Sequence, residues 1–359
     1  MTEASGMRPI VIRFGRLGDM LLLAPLLHRL HRGYGPPCLL LGTGPWTAEL
    51  YAAHPDVSRV VQVIARHRPL PLSPQRWQML QLLRVHRTDA VHVCECEPRA
   101  LAKIRTMLAL AKVPPERCRF LGDAPTIPDE HWIDRLLRAC GRPPAACAGA
   151  WRPPPPPAGE APHLVLRDAD RHDRHAWLRA RGWRGEPIWL VQPCNKHSAH
   201  RHAPHAGIDD DKTWPTSNWV TALRALNAGH PDARIVLCGT ADEAPLLEAI
   251  AAHARVDSLD VAARDLPLRR LMALAQVARG MLSVDTGPAH VAAAMGCPLV
   301  VMFGAQSPAV WRPRSPTRSA VTVLGGPPQR TRVAQIALDE VIAAIIALPP
   351  REPELPRAA

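Results

Sequence analysis

The chain lacks long apolar runs and any regular arrangement of cysteines. None of its apolar stretches reaches the roughly 18 residues that a membrane-spanning helix needs, which argues against a transmembrane protein. No apolar stretch of the length of a signal-peptide core precedes Arg13, and Glu3 is acidic, so we expect no signal peptide. The nine cysteines are odd in number and lack zinc-type spacing, so we interpret them as reduced, mostly buried thiols of a cytosolic protein.

Aromatic residues other than tryptophan are also scarce, with 3 Phe and 2 Tyr beside 10 Trp. The net charge is +12, which favours an anionic partner such as a nucleotide sugar, a nucleic acid or an acidic lipid surface. The basic residues form no run of five, and they do not alternate with aromatics as in a surface that stacks nucleobases. We therefore expect no nucleic acid among the partners.

Short apolar runs of strand length alternate with segments of helical length along the whole chain. Pro9–Phe14 and Ala90–Cys94 are typical of buried strands, and Met20–His31 is typical of a helix. Strands that alternate with helices pair in parallel, because each helix carries the chain back across the sheet. The sequence therefore predicts an α/β architecture.

Proline is abundant, with 40 residues, and Pro153–Pro157 is five consecutive prolines. Such a stretch forms a stiff, extended linker, and the alternating pattern resumes after it. A cleft between two domains is a common place for a ligand. We therefore predict an N-terminal domain over residues 1–158, a C-terminal domain over 159–348 and a flexible tail over 349–359.

The segment from Leu282 to Pro298 is the most informative part of the chain. An apolar run ends in Asp285, Thr286 and Gly287, and a segment of helical length follows. This order predicts a strand, a tight turn and a helix whose first N–H groups are unpaired. Those N–H groups and the helix dipole favour a phosphate group. An ordinary strand-to-helix turn with Thr286 as the N-cap is the alternative.

A second turn with an acid lies between Arg13 and Pro25. A predicted strand ends in a loop with Gly15, and Asp19 stands where the first helix begins. The carboxylate of Asp19 has two interpretations, a helix N-cap or a general base at the mouth of a cleft. The glycine spacing does not fit a dinucleotide-binding fingerprint. Pro25 is unfavourable inside a helix unless the helix kinks there.

Lys212 lies shortly before a helix that we predict to begin near Thr216 or Ser217. A cation is unfavourable at a helix N-terminus, because the helix dipole is positive there, unless the cation and the helix N-terminus bind the same phosphate group. The alternative is a solvated lysine that neutralises Asp209–Asp211.

Two further patterns look like metal sites but lack the spacing for one. Asp168 and Asp170 form a D-x-D pattern, which we interpret as part of the surface. The four histidines between His197 and His205 follow no fixed zinc geometry. They favour a mobile basic loop, with a contact to an acceptor or a phosphate as the alternative. We therefore predict no metal site.

Together, the three segments resemble glycosyltransferase family 9, which contains the ADP-heptose:lipopolysaccharide heptosyltransferases. The first is similar to the family's G-D-x-L-x-x-x-P opening, and the second to its K-x-W-P segment. The third is similar to D-T-G-x-x-H-x-A-A-x-x-x-x-P, followed by a strand and F-G-x-x-x-P. The matching residues are Gly18, Asp19, Leu21 and Pro25; Lys212, Trp214 and Pro215; and Asp285, Thr286, Gly287, His290, Ala292, Ala293, Pro298, Phe303, Gly304 and Pro308.

The resemblance implies a GT-B fold, in which two Rossmann-like domains with parallel sheets face each other across a cleft. It implies an enzyme that inverts the anomeric carbon without a bound metal or cofactor, with an ADP-sugar as the donor substrate. The acceptor would be an anionic glycolipid or glycan of the lipopolysaccharide core. The protein would then be cytoplasmic, in peripheral contact with the inner face of the cytoplasmic membrane.

The resemblance also implies roles for individual residues. Asp19 would act as the general base and Lys212 as a catalytic cation beside the diphosphate. The donor-binding residues would be Asp285, Thr286, Gly287, His290, Gly15, Arg16 and Gly18. Two alternatives remain open: another sugar-nucleotide enzyme, such as an epimerase or a transferase to protein or another glycan, and a non-catalytic nucleotide-sugar binding protein.

Overall fold

A computed structural model describes residues 6–64, 73–156, 159–195 and 210–351. The chain divides into two compact units, Met1–Val165 and Leu166–Ala359. The proline-rich stretch precedes this division and is attached to the first unit, where Arg29 donates a hydrogen bond to the carbonyl of Pro155 (2.8 Å). No helix within the described ranges is long and apolar enough to cross a membrane.

The first unit contains a parallel sheet of five described strands in the order β3-β2-β1-β4-β5. The strands are β1 (Ile10–Ile12), β2 (Cys38–Thr43), β3 (Val57–Val63), β4 (Val91–Val93) and β5 (Cys118–Phe120). The helices are α1 (Leu17–Leu21), α2 (Ala24–Tyr34), α3 (Trp46–Leu50), α4 (Pro74–Val85), α5 (Pro98–Leu110) and α6 (Trp132–Cys140).

The predicted helix Met20–His31 is wrong as a single element. It is split into α1, which ends at Leu21, and α2, which begins at Ala24 with Pro25 in its first turn. Proline is tolerated there because the first N–H groups of a helix have no partner within it. The break leaves α1 as a short helix between β1 and α2.

The second unit contains a parallel sheet of six described strands in the order β11-β10-β9-β6-β7-β8. The strands are β6 (Ile188–Gln192), β7 (Arg234–Leu237), β8 (Leu259–Val261), β9 (Gly280–Val284), β10 (Leu299–Phe303) and β11 (Val321–Gly325). The helices are α7 (Asp168–Ala180), α8 (Thr216–Gly229), α9 (Ala244–Ala254), α10 (Leu268–Val277), α11 (Gly287–Ala294), α12 (Pro308–Trp311) and α13 (Leu338–Ile346).

The central strands β6, β9 and β10 are buried at every residue. Helices cover both faces of a parallel sheet, so its inner strands are apolar without alternation, as these are. Each sheet also has a point where the strand order reverses, between β1 and β4 in the first unit and between β6 and β9 in the second. Loops at the carboxyl ends of such strands leave a crevice for ligands.

Candidate active site

In the first unit, Arg13 lies between two carboxylates at the carboxyl ends of β1 and β4. It donates hydrogen bonds to Asp19 Oδ1 (2.8 Å) and to Glu95 Oε1 (3.1 Å). Burial alone would lower the pKa of Arg13, but the charges of Asp19 and Glu95 outweigh that effect and raise it. Arg13 is therefore a permanently charged guanidinium that fixes one carboxylate oxygen of Asp19.

Asp19 is the third residue of α1 rather than its N-cap. Its Oδ2 accepts a hydrogen bond from the backbone N–H of Arg16 (3.0 Å), in the manner of a capping box. The Asp19 side chain is 23% exposed, so it is held on two sides and still reachable. A Cβ added to Gly15 would collide with the Cβ of Asp19, which explains the glycine in this loop.

Glu95 is a second buried anchor of this site, and sequence reasoning missed it together with Arg13. Its carboxylate accepts hydrogen bonds from the backbone N–H groups of Phe14 (3.1 Å) and Cys96 (2.9 Å), besides the one from Arg13. Glu95 therefore ties the loop after β4 to the loop after β1. The signal was an acid directly after a predicted strand, but only the strand order makes β1 and β4 neighbours.

In the second unit, Lys212 meets the turn after β9. Its ammonium donates to Asp285 Oδ2 (2.6 Å) and to the backbone carbonyl of Asp285 (2.7 Å). The Lys212 side chain is 22% exposed and that of Asp285 is 7% exposed. The structure thus brings two predicted site residues, 73 positions apart in sequence, into direct contact at the β6–β9 reversal.

The helix after this turn begins where the sequence predicts. Thr286 is the N-cap residue of α11, but its hydroxyl donates to the carbonyl of Val284 (3.2 Å) and makes no capping hydrogen bond. The first-turn N–H groups of Gly287 and its neighbours have no intrahelical partner by geometry. His290, in the same helix, has its Nε2 3.8 Å from Asp285 Oδ1. A cation, a helix N-terminus and an imidazole therefore surround one carboxylate.

Hydrogen bonds fix the backbone that carries Lys212. The buried carboxylate of Asp210 accepts from Asn195 Nδ2 (2.9 Å), from Thr213 Oγ1 (2.8 Å) and from the N–H of Lys212 (3.1 Å). Asp211 accepts from the N–H of Ala305 (2.6 Å), in the loop after β10. Asp210 and Asp211 therefore have partners other than the ammonium of Lys212, while Asp209, the third acid of the alternative interpretation, lies outside the described residues.

The two patterns that look like metal sites are the D-x-D pattern and the histidine segment. The carboxylates of the D-x-D pattern form ion pairs with arginines, and the histidine segment lies outside the described residues. Asp168 is exposed and pairs with Arg171 (3.1 Å), while Asp170 is buried and accepts hydrogen bonds from Arg167 and Arg269. Burial would raise the pKa of Asp170, but these arginines outweigh it and lower the pKa. The histidine segment from His197 to His205 falls in residues 196–209, which the structure does not describe.

The predicted site residues thus form two groups, one in each unit. The loop residues Gly15, Arg16 and Gly18 surround Asp19 in the first unit. In the second unit, Lys212 and the turn from Asp285 to His290 form one cluster. The structure carries no donor, so the donor-binding role of these residues stays a prediction.

The chain is similar to known proteins in sequence and in fold. Residues 193–341 match glycosyltransferase family 9 (heptosyltransferase). Lipopolysaccharide heptosyltransferase 3 of Escherichia coli is 26% identical over 135 residues, which are 34% of this chain and 40% of that protein. The match therefore spans less than half of that relative's length.

Two solved structures share the fold of nearly the whole chain. The E. coli ADP-heptose lipopolysaccharide heptosyltransferase II is 18% identical, with a TM-score of 0.68 over 95% of this chain and 98% of that one. The E. coli heptosyltransferase WaaC with ADP is also 18% identical, with a TM-score of 0.64 over 94% of this chain and 99% of that one.

These similarities confirm the predicted fold class, an α/β protein of GT-B type with two parallel sheets. The matched family is one of glycosyltransferases, the enzyme class that the sequence predicts. The cluster of Lys212 and the turn at Asp285 lies inside the matched range. Residues 193–341, which carry the contact between Lys212 and Asp285, are therefore similar to glycosyltransferase family 9 (heptosyltransferase).

Proposed function

We propose that the protein is an inverting glycosyltransferase that moves heptose from ADP-heptose to an acceptor of the lipopolysaccharide-core type. The observation that carries the proposal is the contact between Lys212 and Asp285 at the start of α11, inside the matched range. A lysine and a helix N-terminus at one strand end suit a diphosphate, because both supply positive potential. The solved relatives, one of which is described with ADP, support the same donor class.

The proposed reaction begins at Asp19. The acceptor hydroxyl attacks the anomeric carbon of the donor, its proton passes to the Asp19 carboxylate, and the new glycosidic bond forms. A base contributes when its pKa keeps it ionised at the working pH and its oxygen can reach the hydroxyl. The hydrogen bond from Arg13 holds one oxygen of Asp19 in place, and the partial exposure of the side chain leaves the carboxylate accessible.

The bond from the anomeric carbon to the phosphate oxygen breaks at the same time, and ADP leaves with the bonding electrons. The transition state carries positive charge on the sugar ring and growing negative charge on the diphosphate. In the proposed complex, Lys212 turns from Asp285 towards the diphosphate, and the N-terminus of α11 faces the same oxygens. Preorganised donors of this kind stabilise the charge that develops on a leaving group.

The remaining parts of the proposal concern the metal, the location and the acceptor. We expect no required metal, because Lys212 and the helix N-terminus supply the positive charge.

We expect a cytoplasmic protein that binds reversibly to the inner face of the membrane, because its net charge is +12. Flotation with anionic and neutral liposomes at low and high salt tests this location. Equal recovery with both lipids would contradict it.

The decisive experiment is product analysis after incubation with ADP-heptose and a lipopolysaccharide-core acceptor. The proposal requires free ADP and a glycosylated acceptor with inverted anomeric configuration. An isomerised donor would instead indicate an epimerase, and binding without turnover a non-catalytic protein. A thermal-shift comparison of ADP-, UDP- and GDP-sugars identifies the donor base, since a bound ligand raises the stability of the native state. A larger shift with UDP- or GDP-sugars would overturn the ADP assignment.

A further inference from the structure

The indole ring of Trp132 lies against the guanidinium that holds Asp19. Trp132 is the first residue of α6 and is 5% exposed. The guanidinium carbon of Arg13 lies over this ring, 5.2 Å from the ring centroid. Arg135, in the same helix, lies over the ring at 5.5 Å, and its guanidinium donates to Thr126 Oγ1 (3.2 Å). A cation within about 6 Å of an aromatic face is attracted by the negative charge of that face, so Trp132 offers Arg13 a buried surface on which to rest.

Hydrogen bonds fix the remaining contacts of Arg13. Its Nη1 donates to the carbonyl of Cys94 (2.9 Å) and to Glu95 Oε1 (3.1 Å), and its Nη2 donates to Asp19 Oδ1 (2.8 Å). The N–H donors of a guanidinium lie in its plane, so these bonds resist a shift within the plane more than a tilt out of it. An aromatic ring packed on the flat face resists the tilt. The hydrogen bonds and the ring of Trp132 therefore restrain Arg13 in complementary directions.

The two carboxylates bonded to Arg13 depend on it to different degrees. Glu95 is buried, and besides Arg13 it accepts hydrogen bonds from three backbone N–H groups. Asp19 is partly exposed, and it accepts one hydrogen bond from Arg13 and one from the N–H of Arg16 (3.0 Å). If Arg13 moved, Glu95 would still be held by the backbone, whereas Asp19 would lose one of these two restraints. The orientation of Arg13 therefore matters most for Asp19.

We infer that Trp132 is a positioning residue of the proposed transfer, whose ring holds the guanidinium of Arg13 in the orientation that fixes Oδ1 of Asp19. The inference rests on the proposed function, in which Asp19 takes the proton of the acceptor hydroxyl. The indole ring itself neither takes that proton nor contacts the leaving group. A displacement of about 1 Å in a reacting group can cost roughly 100-fold in rate. Because Trp132 acts on Asp19 through Arg13, we expect a smaller loss, of about tenfold in kcat.

The kinetics of sugar transfer by the full chain, with ADP-heptose and a lipopolysaccharide-core acceptor, test this role with two substitutions at one position. Trp132→Leu keeps an apolar side chain without the ring. It should lower kcat about tenfold and change the KM values for donor and acceptor by less than about twofold. Trp132→Phe keeps an aromatic face and should keep kcat within about twofold of the wild-type value. A normal kcat in Trp132→Leu would overturn the inference, as would a loss that Trp132→Phe does not restore.

Trp151→Leu is the matched control. Trp151 belongs to the same unit, and its ring packs edge-on against Tyr34, with 4.9 Å between the ring centroids. Its replacement should also destabilise the first unit, but kcat should stay within about twofold of the wild-type value, because the ring packs on Tyr34 and not on Arg13. Thermal unfolding of all three variants verifies that they are folded at the assay temperature. An equal loss of kcat in the control would mean that destabilisation lowers the rate, and it would overturn the inference.

The background of Asp19→Asn separates positioning from a general loss of structure. Without a carboxylate at this position, Trp132→Leu has no base to misplace, so adding it to Asp19→Asn should lower kcat by less than about twofold. Two independent defects would instead multiply. A further loss of about tenfold in the double variant would contradict an action through Asp19.

A measurement without substrates tests the same contact independently of turnover. Denaturant unfolding of Asp19→Asn, Arg13→Met and their double variant gives the coupling free energy between these two residues. The same cycle in the background of Trp132→Leu should give about half of that coupling or less, because Arg13 is then free to tilt away from Asp19. An unchanged coupling would overturn the inference. Arg13→Lys, which keeps the charge without the planar group, replaces Arg13→Met if the latter does not fold.

The failure of this inference is distinguishable from the failure of the proposed function. If the wild-type protein transfers no sugar, the proposed function fails, and the coupling free energies still decide whether Trp132 holds Arg13 on Asp19. If the wild-type protein transfers sugar and Trp132→Leu does so at the same kcat, the role of Trp132 alone is refuted.

Discussion

Lys212 donates hydrogen bonds from its ammonium to both the carboxylate and the backbone carbonyl of Asp285, at 2.6 and 2.7 Å. The carboxylate is almost fully buried, so the ion pair holds the lysine against the strand end at which α11 begins. Under the proposed function, a diphosphate at this strand end would compete with Asp285 for the same ammonium. The ion pair would then hold the cation in position before the donor binds.

Lys212→Ala should weaken ADP binding by about 1.5–3 kcal/mol, or roughly 10- to 150-fold, since it removes a charged hydrogen-bond donor. It also leaves the buried Asp285 carboxylate without its ion pair, next to the phosphates. Calorimetric titration with ADP measures the loss. Arg264→Ala, which removes an exposed cation of the same unit, is the control and should bind ADP normally. Equal affinities in the two variants would exclude a role for Lys212 at the diphosphate.

Asp19→Asn should lower turnover by roughly 10²- to 10⁴-fold, the usual cost of losing a positioned general base. Affinity for ADP should hardly change, because asparagine keeps the size of the side chain and ADP lacks the acceptor hydroxyl from which the base would take a proton. The matched control is Asp123→Asn, since Asp123 also accepts a backbone hydrogen bond three residues before it, from Phe120 (3.1 Å). If both variants turn over substrate at nearly the wild-type rate, Asp19 is a structural cap and not a base.

Arg13→Met should destabilise the protein by about 3–5 kcal/mol, because it leaves the buried carboxylate of Glu95 without a cation. Denaturant unfolding measures the free energy change. The double variant Arg13→Met/Glu95→Gln should recover part of the loss, since the two groups interact directly. Strictly additive effects would mean that the contact between them contributes nothing to stability.

The pKa values of Asp56 and its histidine neighbours predict a pH-dependent stability of the first unit. Asp56 is bonded to His28 Nδ1 (3.2 Å) and His31 Nδ1 (2.7 Å). The hydrogen bond that His28 donates to Asp56 raises the pKa of His28. Burial would raise the pKa of Asp56, but hydrogen bonds from His28 and His31 outweigh it and lower the pKa. Burial lowers the pKa of the neighbouring His54, so the pKa shift of His54 is opposite in sign to that of His28.

The sign follows from proton linkage. The raised pKa of His28 contributes stability that is complete below its unfolded value of 6.5 and is lost as pH rises through the folded value. The lowered pKa of Asp56 contributes stability above 3.8 that is lost as pH falls through the folded value. Asp56→Asn should therefore lower the free energy of unfolding most between pH 3.8 and pH 6.5, by about 1.5–3 kcal/mol. Denaturant unfolding of the wild type and of Asp56→Asn across pH 3–9 tests this pH dependence. The control is Asp89→Asn, which removes the carboxylate of another ion pair with a histidine, His86 (2.8 Å). If the difference in unfolding free energy between the wild type and Asp56→Asn does not change with pH, the prediction is wrong.

Sugar transfer should survive an excess of EDTA. The carboxylate of Asp170 is already bonded to Arg167 and Arg269, and Asp168 points to Arg171, so the D-x-D pattern offers a metal no suitable pair of ligands. Activity assays with and without the chelator measure the effect. Loss of activity that a divalent cation restores would contradict the prediction and direct attention to the histidines between His197 and His205.

The fold class could be predicted from the sequence, and so could most of the predicted site residues in the second unit, Lys212 and the turn from Asp285 to His290. Short continuous apolar runs such as Leu299–Phe303 are typical of inner strands of a covered parallel sheet, and their alternation with segments of helical length predicted the α/β architecture. The turn from Asp285 to Gly287 was predicted for a similar reason, since three residues between an apolar strand and a segment of helical length mark where the helix begins. These are local properties, carried by neighbours in sequence.

Which residues come into contact depends on the packing of the whole chain. Lys212 had two interpretations until the order of β6 and β9 brought it to Asp285, and Arg13 and Glu95 had none until β1 and β4 became neighbours. The break between α1 and α2 was equally undecided, because a proline inside an apolar run is compatible with a kink or with a new helix start. Strand order and helix packing depend on the summed burial of the whole chain, and no local segment encodes that sum.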